Sequence, residues 1–232
     1  MQLFQYENGY RYNSDSLLLH DFICSFNPKG NVLDIGSGSG VLGLLIKREY
    51  PAVNLLQIEV QESHYALTCK NAEHNKIDSH VICADFLNYR FTSSFDFIIS
   101  NPPFYHSGAQ KSENESLKIS RHSDSLPLES FFKKVSSLLE FRGSFIFCYD
   151  AKQIDILIAS LIKFNLKPNN IKFIHTKRRK DASIVLIHAK KGSKSLCNVL
   201  SPLVMYDENE NLVQEVVDIY EKSKTESLVW QI

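Results

Sequence analysis

The feature that most constrains the fold of this chain is the regular alternation of short apolar runs with longer amphipathic stretches. NVLDI precedes VLGLLIKREY, NLLQIEV precedes ESHYALTCKNAEHN, and HVICAD and then FDFIIS lead to PLESFFKKVSSLLE. Apolar runs of this length read as strands buried on both faces, and the amphipathic stretches as the helices that cover them. The pattern predicts βαβ units: an α/β fold with a doubly wound, mostly parallel sheet of seven strands. SFIFCYD, a helix over about 151–164, IKFIHT and SIVLIHA complete the series. Only KRRKDA joins the last two strands, which is too short for a crossover helix, so one strand near the C-terminus is expected to run antiparallel.

A chain of 232 residues, 44% of them hydrophobic, is long enough for one large core, and a single domain over 1–232 is expected. The polar stretch 105–126 reads as a mobile substrate loop rather than a connector. Lys and Arg number 26 against 26 Asp and Glu, so any polyanionic partner must be sought in a local basic patch. No basic head and apolar run open MQLFQYENGYRYNSDS, and no stretch approaches the ~20 apolar residues of a membrane span. A cytoplasmic protein with no membrane partner is expected. The five cysteines form no CxxC pair, which argues for free thiols and against a metal site.

The stretch VLDIGSGSGVLG follows the first of these strands and opens a helix. Gly36, Gly38 and Gly40 let the backbone turn tightly and lie against a ligand, at the strand end where open α/β sheets bind nucleotides. Gly38, Gly40 and Gly43 also satisfy GxGxxG, so the loop alone leaves nicotinamide dinucleotides open. Glu59 closes the next strand about 20 residues on, where a carboxylate would accept hydrogen bonds from ribose hydroxyls. Asp34 could hold a ligand ammonium or brace the loop. Asp85 and Phe86, at the following strand end, suit an amine hydrogen bond and a stacked ring.

Taken in order, Asp34 to Gly40, Glu59, Asp85 and Asn101-Pro102-Pro103-Phe104 resemble the motif series of the class I methyltransferases that use S-adenosylmethionine (SAM). The resemblance covers essentially the whole chain. It implies a Rossmann-like fold, SAM as cofactor, and cofactor contacts at Asp34, Gly36, Ser37, Gly38, Gly40, Glu59, Val60, Asp85, Phe86 and Asn101. It further implies that the N-terminal segment 1–28 folds over the cofactor site, bringing Tyr12 and Asp15 near it.

Asn-Pro-Pro-Phe suits a planar exocyclic amine, whose lone pair is delocalised and poorly nucleophilic. The Asn101 side-chain oxygen and the Pro102 carbonyl can each accept one N–H, aiming the lone pair at a methyl group. The two prolines fix φ and carry no N–H that needs a partner. Phe104 offers a stacking face for a base, worth about 1–3 kcal/mol. Catalysis is then mainly orientation. Adenine N6, guanine N2 and a glutamine amide all present such an NH2, and the residues leave these open.

YRYNSDSLLLHDF, the closing segment PLVMYDENENLVQEVVDIY and NPPFYHSG are similar to the bacterial valine-tRNA adenine-N6 methyltransferase family. That similarity implies RNA as substrate, tRNA first, with the adenine beside the anticodon as the target. Phe104 stands where that family more often has Tyr, which keeps an rRNA guanine-N2 enzyme as an alternative, beside a protein glutamine-N5 enzyme and an idle RNA-binding protein. Lys172, Lys177, Arg178, Arg179, Lys180, Lys190, Lys191 and Lys194 form a basic run around the last hairpin that could track phosphates, with Arg121 in the polar loop as a further candidate. The acidic segment DENENLVQEVVDIYE is expected to lie away from RNA.

Overall fold

The apolar runs become the central parallel strands, where helices cover both faces and burial is nearly continuous. In the computed structural model, which describes residues 1–7, 14–102 and 127–230, the strands are β1 (Gln2–Tyr6), β2 (Asn31–Ile35), β3 (Asn54–Glu59), β4 (His80–Cys83), β5 (Phe95–Ser100), β6 (Leu139–Asp150), β7 (Leu166–Lys177), β8 (Ala182–Lys191), β9 (Asn198–Val199), β10 (Leu203–Tyr206) and β11 (Glu226–Trp230). The helices are α1 (Ser14–Cys24), α2 (Val41–Glu49), α3 (Glu62–His74), α4 (Leu128–Leu138), α5 (Ile154–Lys163) and α6 (Gln214–Ser223). A 3-10 turn, Ala151–Gln153, begins the stretch expected to be wholly helical; Asp150 caps it by accepting the Lys152 N–H at 2.9 Å.

The sheet runs in the order β4-β3-β2-β5-β6-β8-β7, with β8 antiparallel to both neighbours and the other six strands parallel. This is the seven-strand arrangement with one reversed strand near the C-terminus. Two additions surround it. β9 and β10 pair one after the other along the outer edge of β7, and β1 and β11 form a separate parallel ribbon that joins the two ends of the chain. QLFQY and ESLVW, the strands of that ribbon, are too short and too mixed in polarity to stand out.

Aromatic side chains fill the space between α4 and the sheet. Phe131 and Phe132 from α4 meet Phe145 and Phe147 from β6, all four fully buried, and the last two stack at 4.5 Å. Each such side chain contributes about 1.5–3 kcal/mol by burial. Among the described residues no helix is long and apolar enough to cross a membrane.

Three of the described histidines, His20, His64 and His188, are buried. His188, on β8, sits between Asn170 Nδ2 at 3.1 Å and Ser144 Oγ at 3.0 Å, under the Phe26 ring. Burial, and secondarily Lys190, pushes its pKa down to about 3. Burial likewise lowers His20 to about 4. Both stay neutral in the fold at pH values where the unfolded chain, with its histidine pKa near 6.5, takes up a proton. Stability is therefore complete above about pH 6.5 and falls as the pH drops towards 4. Chemical denaturation should show the protein less stable at pH 5 than at pH 7.5, by about 2 kcal/mol for each histidine. His188→Gln should flatten that slope; an unchanged slope would contradict this assignment.

Candidate active site

The glycine loop leaves β2 and is moulded by the neighbouring strand. Gly36 and Ser37 donate their N–H groups to the Ile58 carbonyl, at 2.9 and 3.2 Å. Gly36, Gly38 and Gly40 have φ of 69°, 59° and 79°, the left-handed region that glycine tolerates. A Cβ on Gly40 would stand 2.8 Å from Thr68 Cγ2, whereas one on Gly36 would meet nothing within 4 Å. The loop is thus packed against α3 at Gly40 and open to a ligand at Gly36.

Buried side chains hold this shape. Glu59 Oε2 accepts the Gly38 N–H and its Oε1 the Gln61 N–H, both at 2.9 Å. Asp34 Oδ2 accepts from the Gly43 N–H at 3.0 Å and from Gln57 Nε2 at 3.1 Å. Of the two roles open to Asp34, this geometry is the bracing one. Burial pushes its pKa up to about 7, against the pull of the Gln57 and Gly43 donors. Ser37 is buried, with its hydroxyl 3.2 Å from Thr68 Oγ1, and Thr68 donates to the Gly38 carbonyl at 2.8 Å.

The end of β4 departs from expectation. Asp85 caps its own turn, Oδ1 accepting the Leu87 N–H at 2.9 Å and Oδ2 bonding the Asn88 side chain. The Phe86 ring, expected to stack on a ligand, is 5% exposed: it packs edge-on to Phe131 at 5.5 Å, with Lys134 Nζ over its face. Its hydrophobic area is better buried against α4 than left at the strand end. Val60, just past β3, is 55% exposed.

Asn101 follows β5, the strand beside β2. Ser100 pairs with Ile35 in register, and its hydroxyl donates to the Ile35 carbonyl at 2.8 Å, so Asn101 emerges next to the glycine loop. Asn101 Nδ2 donates to Ser16 Oγ on α1 at 3.0 Å, and Cys148 Sγ on β6 donates to Asn101 Oδ1 at 2.7 Å. Pro102 is buried beside it. Asp15, on the first turn of α1, is buried near enough to Cys148 to raise its thiol pKa further. Tyr12, Pro103, Phe104, Arg121 and the 105–126 loop lie outside the described residues.

Several contributors had no motif to announce them: Ser16, Cys148, Gln57, Thr68 and Asn71. Asn71 is the clearest. Its side chain both accepts from the Phe4 N–H at 2.7 Å and donates to the Phe4 carbonyl at 3.1 Å, while also donating to the Ser39 carbonyl at 2.8 Å. Asn75, one helical turn on, makes the same paired bonds to Gln2, at 3.1 and 2.7 Å. The spacing of Asn71 and Asn75 at i and i+4 was the available signal.

The basic run is divided by the structure. Strand β7 is parallel to β5, so Lys177, Arg178, Arg179 and Lys180 lie at the same sheet edge as Asn101. Lys190 and Lys191 lie at the opposite edge, where Lys190 pairs with Ser144 and Lys191 Nζ donates to the Leu139 carbonyl at 2.7 Å. The acidic segment, expected to lie away from RNA, comes up against part of the basic run. Because β10 runs parallel to β7, the turn after it emerges beside the hairpin, and Glu210 pairs with Lys177 at 2.5 Å. Glu215 pairs with Lys172 at 3.2 Å. Arg178, Arg179 and Lys180 are exposed.

These residues fit a SAM-type ligand: an open backbone cradle at Gly36, a carboxylate at Glu59 with lone pairs to spare, and a buried Ser39 Oγ that has no partner among the described residues. Among the described residues no group of three His, Cys, Asp or Glu could hold a metal ion. Glu59→Ala is expected to weaken SAM binding about a hundredfold by calorimetry, since it removes charged hydrogen-bond acceptors at the loop. Unchanged affinity would remove Glu59 from the site.

Comparison with known proteins identifies the family. Residues 13–126 match the family model described as methyltransferase small domain. A tRNA1(Val) (adenine(37)-N6)-methyltransferase of Aliivibrio salmonicida is 30% identical over 183 residues, which is 77% of this chain and 76% of that one. A ribosomal RNA small subunit methyltransferase C of Pasteurella multocida is 38% identical over 77 residues, 33% of this chain and 23% of its own. The solved structure of a protein of Agrobacterium tumefaciens, described as a predicted O-methyltransferase, superposes with a TM-score of 0.70 at 17% identity, over 92% of this chain and 99% of that one. Fold, ordered site residues and relatives together place this chain in the bacterial tRNA1(Val) (adenine(37)-N6)-methyltransferase family of class I SAM-dependent methyltransferases.

Proposed function

We propose that this enzyme methylates the exocyclic N6 of an adenine in RNA, and that its substrate is the anticodon-loop adenine of a valine tRNA. The observation that carries this reading is the placement of Asn101: an amide at the end of β5, beside the glycine loop, whose oxygen accepts from Cys148 and keeps a second lone pair for a planar NH2. The A. salmonicida relative, similar over three quarters of its length, supports the choice of base and RNA.

SAM, when bound, supplies an electrophilic methyl group. The chain supplies the rest. Glu59 accepts hydrogen bonds from the ribose hydroxyls, and Asp85 from the adenine amine of the cofactor. Asn101 Oδ1 and the Pro102 carbonyl each accept one N–H of the target amine, drawing the nitrogen towards a tetrahedral shape with its lone pair aimed at the methyl. The nitrogen becomes cationic on transfer and then releases a proton to solvent, so no strong base is needed. Phe104 remains the proposed stacking ring. We take residues 1–232 as one catalytic unit whose N-terminal segment, tied to the glycine loop through Asn71, approaches the cofactor with Tyr12 and Asp15. Arg178, Arg179 and Lys180 would bind phosphates beside the target, with Lys177 and Arg121 as further contacts.

Labelled SAM incubated with total RNA from a strain lacking the gene should yield labelled N6-methyladenosine after digestion to nucleosides. The P. multocida relative keeps an rRNA target in view, and labelled N2-methylguanosine without N6-methyladenosine would overturn the proposal. Asn101→Ala should lower the transfer rate about a hundredfold or more while leaving SAM affinity intact. Replacing Arg178, Arg179 and Lys180 together by Ala should reduce the slope of log affinity against log salt by about 2, at about 0.7 per phosphate contact on a single strand. An unchanged slope would return the hairpin to an ordinary solvated surface.

A further inference from the structure

A side-chain amide has two ends of opposite character, and rotating it by half a turn would present an N–H donor to the substrate amine where an acceptor is required. Asn101 therefore needs something that fixes its orientation, and the backbone alone does not. Its two ends meet two side chains from different elements: Nδ2 donates to Ser16 Oγ at 3.0 Å, and Oδ1 accepts from Cys148 Sγ at 2.7 Å. Ser16 is 3% exposed and Cys148 fully buried, so water can reach these bonds only from the half-buried Asn101 side.

We propose that Cys148 and Ser16 are positioning residues, clamping the Asn101 amide so that its oxygen faces the amine that accepts the methyl. The proposal rests on Asn101 being the acceptor inferred above. Burial, and secondarily the charge of Asp15, raises the Cys148 thiol well above its usual range, so at neutral pH it keeps the proton that it donates to Oδ1; its sulfur is a weak acceptor, which makes the flipped amide, with Nδ2 towards the thiol, the poorer pairing. A thiol is also a weak donor. It fixes the amide while drawing little electron density from the oxygen, whose second lone pair must still attract an N–H of the substrate. A hydroxyl in its place would orient the amide equally but polarise the oxygen more.

Single-turnover transfer rates at saturating SAM, with SAM affinity and melting temperature measured alongside, test the clamp in the full chain. Cys148→Ala should slow transfer about tenfold, the worth of one hydrogen bond, with SAM affinity within about twofold of the unmodified protein. Cys148→Ser should recover most of the rate, which a purely packing role for the sulfur would not require. Ser16→Ala should also slow transfer, and should add less in the Cys148→Ala background than alone, because both act on the same amide. A normal rate in Cys148→Ala, no recovery by serine, or effects of the two substitutions that simply multiply would each overturn the clamp. Asn101→Ala separates the two ideas: if it is inactive while Cys148→Ala is normal, only the clamp fails, and if it is itself fully active, the acceptor role of Asn101 fails and the clamp with it.

Discussion

The adjacency of β2 and β5 is the constraint from which the rest of the site follows. Ile35 and Ser100 are paired across it, so the glycine loop and Asn101 leave the sheet side by side. Strand order reverses at this point: β3 and β4 extend the sheet to one side, and β6, β8 and β7 to the other. Such a switch point opens a crevice at the carboxyl ends of the strands. Glu59 and Asp85, the acids proposed to hold the cofactor, stand on the first side, and the basic hairpin at Arg178 to Lys180 on the second. The proposed cofactor and RNA contacts therefore flank the switch point from opposite sides.

Around that crevice, buried polar side chains do what backbone hydrogen bonds cannot. A loop with three residues at positive φ has many unpaired backbone groups, and each buried one must find a partner. Glu59, Asp34, Gln57, Thr68 and Asn71 provide them. Asn71 carries the chain of contacts outward, because it also serves as a strand-like partner for β1, which in turn pairs with β11. The two ends of the chain are thereby joined to the cofactor loop, and α6 reinforces α1 through the Lys222–Asp21 pair at 3.1 Å.

Much of this was legible in the sequence because it rests on local patterns. Apolar runs bounded by amphipathic stretches marked the strands and helices, and the short KRRKDA link marked the reversed strand. Glycines and strand-end acids marked the side where the cofactor is proposed to bind. What escaped depends on tertiary contacts. Phe86 follows a strand-end acid in the motif, but α4 packs close enough to take its ring into the core, a fact no spacing reveals. Glu210 comes beside Lys177 only because β10 adds itself in parallel to the sheet edge. Cys148 lies in the strand SFIFCYD and looks like one more small apolar residue; only the neighbouring strand makes it a donor to Asn101.

The central claim is that one crevice holds the cofactor against Glu59 and presents an RNA amine to Asn101. A crystal structure with S-adenosylhomocysteine and an adenine-containing anticodon-loop oligonucleotide measures this directly. The account predicts ribose hydroxyls within hydrogen-bond distance of Glu59 and the target N6 within hydrogen-bond distance of Asn101 Oδ1. A base whose amine is held by other groups, or a cofactor lying away from Gly36 and Glu59, would contradict it.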